Sequence, residues 1–167
     1  MSLVNYETPQ VVDAESLWQL MAQIDRETKF TLYETDEREY DLEPLKKLIE
    51  NANRGVDFLQ TASCDEQMIG YLLAQRGRHR RNRHVASVVV GIIADFHNRG
   101  IGSALFHNLD QWAQLNQIKR LELTVVETNV AAKRLYQAQG FEVEGVRQRS
   151  ILLDGRYVNE IYMAKLL

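Results

Sequence analysis

Apolar positions recur at helical spacing in four stretches and at strand spacing in seven. Leu3 to Glu7 reads as a short strand. Asp13 then offers an N-cap to a helix carrying Leu17, Leu20, Met21 and Ile24 on one face. A polar stretch from Arg26 to Asp41 holds only scattered Phe30, Leu32, Tyr33 and Tyr40. Pro44 suits the first turn of a second helix with Leu45, Leu48 and Ile49. After Gly55 the period changes to that of strands. Val56 to Ala62 and Met68 to Leu73 predict a hairpin closed at Cys64-Asp65-Glu66. His84 to Ile93 is rich in β-branched residues with little polar alternation, which predicts a strand buried on both faces.

The C-terminal half alternates. Gly100 to Leu115 is a helix with Ile101, Ala104, Leu105, Leu109 and Trp112 to one side. Arg120 to Val126 is a strand, and Asn129 to Gln139 a helix stopped by Gly140. Phe141 to Leu152 and Tyr157 to Met163 form a last hairpin around Asp154-Gly155, a dipeptide suited to a tight turn. The order β-α-α-β-β-β-α-β-α-β-β is that of a mixed α/β domain. Trp18 and Trp112 are expected in the core, and His107 is expected to face out.

The chain is 167 residues with formal net charge −3, which fits one domain spanning residues 1–167. The 45% hydrophobic and 26% charged content excludes collagen-like and disordered classes. One cysteine, Cys64, forbids an internal disulfide, and with four histidines it supplies little for a metal, so none is expected. The most apolar run, Val85 to Ala94, is far short of the roughly 20 residues of a spanning helix. The stretch Met1 to Glu7 has neither the basic start nor the apolar body of a signal peptide, so a cytoplasmic protein without membrane partners is expected. Mild acidity argues against a nucleic-acid partner. The charge is uneven, however: five arginines crowd residues 76–84, leaving the rest of the chain at −8. That loop is a solvated run, a contact for cofactor phosphates or another subunit, or an RNA contact without interleaved aromatics.

The segment richest in chemistry is His97-Asn98-Arg99-Gly100-Ile101-Gly102-Ser103. It follows the β-branched strand and opens a helix. A helix start carries unpaired N–H groups and partial positive charge, and glycine lets backbone approach an anion. Together they suit a pyrophosphate. No Lys-Ser or Lys-Thr completes a P-loop, and Leu105 stands where the dinucleotide fingerprint needs Gly or Ala. A plain tight turn without ligand is the bland alternative.

Two motifs in order resemble the GNAT (Gcn5-related) N-acetyltransferases. The first is their acetyl-CoA loop, Gln/Arg-x-x-Gly-x-Gly/Ala, with His97 where Gln or Arg is usual. The second, roughly 30 residues on, is Asn-x-x-Ala-x-x-Leu-Tyr-x-x-x-Gly-Phe, met by Asn129, Ala132, Leu135, Tyr136, Gly140 and Phe141. Taken singly, Asn129 is an N-cap and Tyr136 a half-buried aromatic. The resemblance covers nearly the whole chain and is similar to a bacterial subgroup of unsettled acceptor. It implies a mixed, mostly antiparallel central sheet of about seven strands with helices on both faces.

The resemblance also implies chemistry. Acetyl-CoA is the co-substrate, and a primary amine (amino acid, polyamine, or peptide or protein N-terminus) attacks it directly in a ternary complex. Amides of His97, Asn98, Arg99, Gly100, Ile101, Gly102 and Ser103 hold the pyrophosphate. Pantetheine lies along Ile92, Ile93 and Ala94, where the neighbouring strand splays and leaves amides free for it and for the thioester carbonyl. Asn129 holds a pantetheine amide, and Tyr136 protonates the departing sulfur. Glu34 and Arg38 form an acceptor-side pair of opposite charge. Many relatives carry a glutamate on the central strand, but Val85 to Ile93 has no acid. The base is left among Glu34, Asp36, Glu37, Glu122 and His84. A homodimer fits exposed strands and family habit. The competing functions are a non-catalytic acyl-CoA-binding module of the same fold and a nucleotide-binding domain of another.

Overall fold

A computed structural model describes residues 3–167; Met1 and Ser2, part of the stretch weighed as a leader, lie outside the described residues. Seven strands run β1 (Val4–Glu7), β2 (Phe58–Cys64), β3 (Gln67–Arg76), β4 (Val85–Ile92), β5 (Arg120–Val126), β6 (Glu142–Leu153) and β7 (Arg156–Leu166). Four helices intervene: α1 (Ala14–Glu27) and α2 (Glu43–Asn53) before β2, α3 (Ile101–Leu115) before β5, and α4 (Val130–Ala138) before β6. The strand order is β1-β2-β3-β4-β5-β7-β6. The pairing of β4 with β5 is parallel, while β1·β2, β2·β3, β5·β7 and β6·β7 are antiparallel. The mixed, mostly antiparallel seven-stranded sheet expected from sequence is therefore present.

The residues group into two compact units. One takes the chain to Gln75 together with Val89–Trp112; the other takes Arg76–Val88 and Ala113–Leu167.

In the first unit, α1 buries Leu17, Leu20, Met21 and Ile24, the apolar stripe its spacing predicts. Leu45 and Ile49 of α2, Leu59 of β2, Ile69 and Leu72 of β3, and Ile101, Leu105 and Leu109 of α3 complete this core. Each such side chain contributes about 1.5–3 kcal/mol of transfer free energy. The β2–β3 turn uses Asp65 and Glu66, both at positive φ, as a two-residue hairpin of this handedness requires. Gly91 has a packing reason: a Cβ there would stand 2.9 Å from Ile24 Cδ1 and 3.0 Å from Tyr71 Cε1. Trp18 departs from expectation. It is only half-buried, its indole N–H donates to the Glu39 carbonyl at 3.0 Å, and its ring meets Tyr40 edge-on at 5.0 Å. It fastens the 28–42 segment rather than filling the core.

In the second unit, β5 pairs with β7 along its whole length, Arg120 opposite Leu166 through Val126 opposite Glu160. Ile118, Leu121, Leu123, Val125, Phe141 and Met163 are buried. The last hairpin turns at Asp154 (φ 49°) and Gly155 (φ 73°), as its sequence predicts. β4 is not buried on both faces. Ala86 and Val88 are buried but Ser87 and Val89 are exposed, Val89 by 51%. Its β-branched run reports strand propensity rather than two-sided burial.

Candidate functional site

The first unit carries the glycine loop. The chain leaves β4 extended at Ile93 (φ −65°, ψ 148°) and makes one 3-10 turn over Ala94–Phe96. Asn98 and Gly100 then take positive φ, 58° and 78°, and α3 begins at Ile101. Its first hydrogen bond runs from the Ala104 N–H to the Gly100 carbonyl at 3.0 Å. A Cβ on Gly100 would meet nothing within 4 Å, so the backbone faces open space where it needs glycine for its dihedral. Open space over a helix N-terminus fits a pyrophosphate. Arg99 stands beside it with its guanidinium 4.7 Å from the centre of the Phe96 ring.

Not every amide expected to serve a ligand is available. The His97 N–H donates to the Ala94 carbonyl at 3.1 Å, closing the 3-10 turn. The Ile93 N–H donates to the Ile69 carbonyl at 2.9 Å, and the Ala94 N–H to the Glu27 carboxylate at 2.6 Å. The ring of His97 donates through Nε2–H to the Ile92 carbonyl at 2.7 Å. The end of β4 is thus a bonded corner rather than a row of free amides. His97, where the family pattern has Gln or Arg, spends its side chain on that corner.

Glu27, the last residue of α1, was not among the sequence candidates. Its Oε2 accepts from Ala94 and its Oε1 from the Gln23 amide at 2.8 Å. Two residues earlier, Asp25 is 3% exposed. The Arg38 guanidinium grips it with Nε at 2.6 Å and Nη2 at 3.3 Å, and lies 4.4 Å from the Tyr33 ring centre. Arg38, expected with Glu34 on the acceptor side, has its guanidinium on Asp25. Glu34 donates its N–H to the Glu37 carboxylate at 2.8 Å. Asp25 was legible: Leu17, Met21 and Asp25 lie four apart, so the carboxylate sits on the buried stripe and demands a cation. Tyr71 is buried nearby, and burial pushes its hydroxyl up to about 12, with Arg38 opposing and Asp25 adding to that shift.

The second unit holds the other motif. Asn129 caps α4, its side-chain oxygen accepting the Ala132 N–H at 3.2 Å. Its Nδ2 and the second lone pair of its oxygen remain to serve a ligand. Tyr136 is 8% exposed, its ring 6.0 Å from that of Phe141. Gly140 ends the helix at φ 90°. Glu122 is committed: Arg120 donates to it at 2.7 Å and to both oxygens of Glu144. These bonds hold the Glu144 carboxyl below its ordinary range and push Arg120 up. His84 precedes β4, and its carbonyl takes the N–H groups of Lys119 and Arg120. A groove of about 350 Å³ lined by Val130, Lys133, Arg134, Gln137, Val143 and Ile161 holds none of the predicted site residues.

The arginine loop, also in this unit, is internally built. Arg76 donates through Nε to the Arg83 carbonyl and through Nη2 to the Asn116 carbonyl at 2.9 Å. Gly77 packs on Asn82, where a Cβ would meet the backbone at 2.3 Å. Among the described residues, no group of three or more His, Cys, Asp or Glu is arranged to hold a metal ion, and no helix is long and apolar enough to cross a membrane.

The GNAT acetyltransferase family model matches residues 18–141. Over 111 residues the chain is 33% identical to the L-amino acid N-acetyltransferase AaaT of Escherichia coli K12, covering 64% of this chain and 67% of that protein. Among solved structures, an acetyltransferase of the GNAT family from Streptococcus pneumoniae is 26% identical, with a TM-score of 0.92 over 99% of each chain. A phosphinothricin acetyltransferase from Sinorhizobium meliloti, solved with acetyl-CoA, is 17% identical with a TM-score of 0.84, covering 98% of this chain and 88% of that one. The chain belongs to the GNAT family and is an acetyl-CoA-dependent N-acetyltransferase.

Proposed function

We propose that this enzyme acetylates the α-amino group of an L-amino acid, by direct attack on acetyl-CoA in a ternary complex. The observation that carries the cofactor side is the loop at Asn98–Gly100, open above a helix start. The acceptor class is supported by the 33% identity to an L-amino acid N-acetyltransferase. The amides of Asn98, Arg99, Gly100, Ile101, Gly102 and Ser103 hold the pyrophosphate, with the Arg99 guanidinium beside them. Asn129 serves pantetheine through its side-chain amide while capping α4. Tyr136 gives its phenolic proton to the departing sulfur; phenols of this kind ordinarily titrate near pH ~10 and so carry a proton at neutral pH. The whole chain acts as one catalytic domain, in the cytoplasm. A homodimer belongs to the same proposal, supported by exposed Val143, Val146 and Tyr162 on β6 and β7.

Release of CoA thiol from acetyl-CoA tests the acceptor. The panel is the twenty L-amino acids, spermidine and an alanine-initiated peptide. Free amino acids are expected to give the fastest release, and preference for the peptide or polyamine would refute the assignment. Tyr136→Phe is expected to lower kcat about 100-fold with acetyl-CoA affinity unchanged. Unchanged turnover would remove Tyr136 from the chemistry.

A further inference from the structure

We propose that Glu27 is the carboxylate that receives the acceptor ammonium and takes its proton. The inference rests on acetyl-CoA binding as proposed above, with its thioester reaching the end of β4 as the family resemblance implies.

The chemistry demands such a group. An α-amine ordinarily titrates near pH ~8, so at neutral pH it is mostly protonated and cannot attack. No acid lies on β4 to accept that proton. The carboxylates held by arginines are committed. Asp25 is buried under Arg38. Glu122 is held by Arg120, and His84 precedes β4, whereas the glycine loop follows it.

Glu27 differs from all of these. Its carboxylate is one hydrogen bond from Ala94, the second residue beyond β4. It is exposed, and its partners among the described residues, the Ala94 N–H and the Gln23 amide, are both neutral. Each oxygen accepts one hydrogen bond and keeps a second lone pair. Its position also carries an electrostatic cost. A carboxylate in the last turn of a helix faces the negative end of the macrodipole. A cation arriving there relieves that cost, and a protonated amine is such a cation.

The step balances. The acceptor ammonium gives one proton to Glu27, which passes it to water. The freed nitrogen lone pair forms the C–N bond to the acetyl carbonyl carbon as the C–S bond breaks. The nitrogen's second proton leaves by the same carboxylate, and the sulfur is protonated by the group assigned to it above. The net release is one proton per acetyl group transferred.

Glu27→Gln is the variant of choice, because the amide oxygen still accepts from Ala94 while the charge and basicity are gone. The measurement is kcat/KM against pH, using the panel amine that the unaltered enzyme acetylates fastest, with acetyl-CoA affinity measured separately by calorimetry. At pH 7 a fall of about 100-fold is expected with acetyl-CoA affinity unchanged. The defect should shrink above pH about 9, where water has already deprotonated the α-amine. Equal kcat/KM at pH 7 would overturn the proposal. So would a defect constant across pH, or a matching loss of acetyl-CoA affinity, since either makes Glu27 a support for the strand end. The unaltered enzyme's preference within the panel tests the acceptor class, and the ratio of variant to unaltered enzyme tests Glu27, so the two fail separately.

Discussion

Two loops flank β4 in sequence, and they use charge in opposite ways. The one before it holds five arginines within residues 76–84; the one after it, 97–103, holds a single arginine and two glycines. By composition the first looks like the anion site. In the structure Arg76 is turned onto the backbone carbonyls of Arg83 and Asn116, and the loop is folded on itself around Gly77 and Asn82. The second loop has the left-handed Asn98 and Gly100, open space above the glycine, and a helix start behind it. An anion site is a matter of aimed dipoles, and counted charge is a poor guide to it. A protein of charge −3 can hold a strongly anionic co-substrate because backbone amides carry no net charge. Side-chain charge here is often a strut: Arg38 on Asp25, Arg120 on Glu122 and Glu144, Arg147 on Glu160.

The strongest strut gives the largest expected effect. Asp25→Ala leaves Arg38 without its carboxylate in a mostly buried place, and about 3–5 kcal/mol of stability should be lost in urea unfolding. Asp25→Ala with Arg38→Met should recover part of it, because no unpaired charge is left behind. If Asp25→Ala unfolds like the parent, Arg38 is no strut and is free for the acceptor after all.

Gly100→Val strikes the other kind of site. A β-branched residue at φ 78° is strained, and its side chain would fill the open space over the loop. Acetyl-CoA affinity should fall about 10- to 100-fold, the equivalent of one or two lost charge-assisted hydrogen bonds. Calorimetric titration reads it. Unaltered affinity would mean that the loop is only a turn.

Much of this was legible in the chain because periodicity and turn chemistry are local. The Asp154-Gly155 hairpin, the β5 limits and the Gly140 stop follow from a few adjacent residues, as do the glycine loop and the Asn129–Tyr136 helix. What was not legible depends on partners far along the chain. Ala94 meets Glu27 across 67 residues, and nothing local marks either. The amides of Ile93 and His97 looked free because their acceptors, Ile69 and Ala94, are set by tertiary pairing and by a 3-10 turn. Arg38 was placed with Glu34 on the acceptor side by family resemblance, and its bond to buried Asp25 comes from tertiary packing. The apolar run of β4 suggested two buried faces, but Ser87 and Val89 are exposed.

A smaller effect probes the surroundings of the Asp25 strut through pH. Burial lifts the Tyr71 hydroxyl from about 10 to about 12, so the folded state keeps a proton that the unfolded chain has lost. The neutral phenol's contribution is complete below pH 10 and is lost as pH rises toward 12. Stability should fall in that window by up to about 1.4 kcal/mol per pH unit, and Tyr71→Phe should remove this share of the slope. An unchanged slope in the variant would place Tyr71 in contact with water.

The smallest expected effect returns to the arginine loop. Arg80 and Arg81 are exposed, and exposed charges in salt contribute little beyond a screening length. Arg80→Ala with Arg81→Ala makes the chain two charges more negative, which by composition alone should weaken the binding of an anionic co-substrate. If the amides at 98–103 hold the pyrophosphate, acetyl-CoA affinity should change less than about twofold at 0.15 M salt, where the screening length is about 8 Å. A fall comparable to that of Gly100→Val would make charge the binding force and the arginine loop part of the site. Repeating the titration at 0.01 M salt separates the two causes. Screening reaches about 30 Å there, so a diffuse field effect should grow while a direct contact would already be visible at the higher salt.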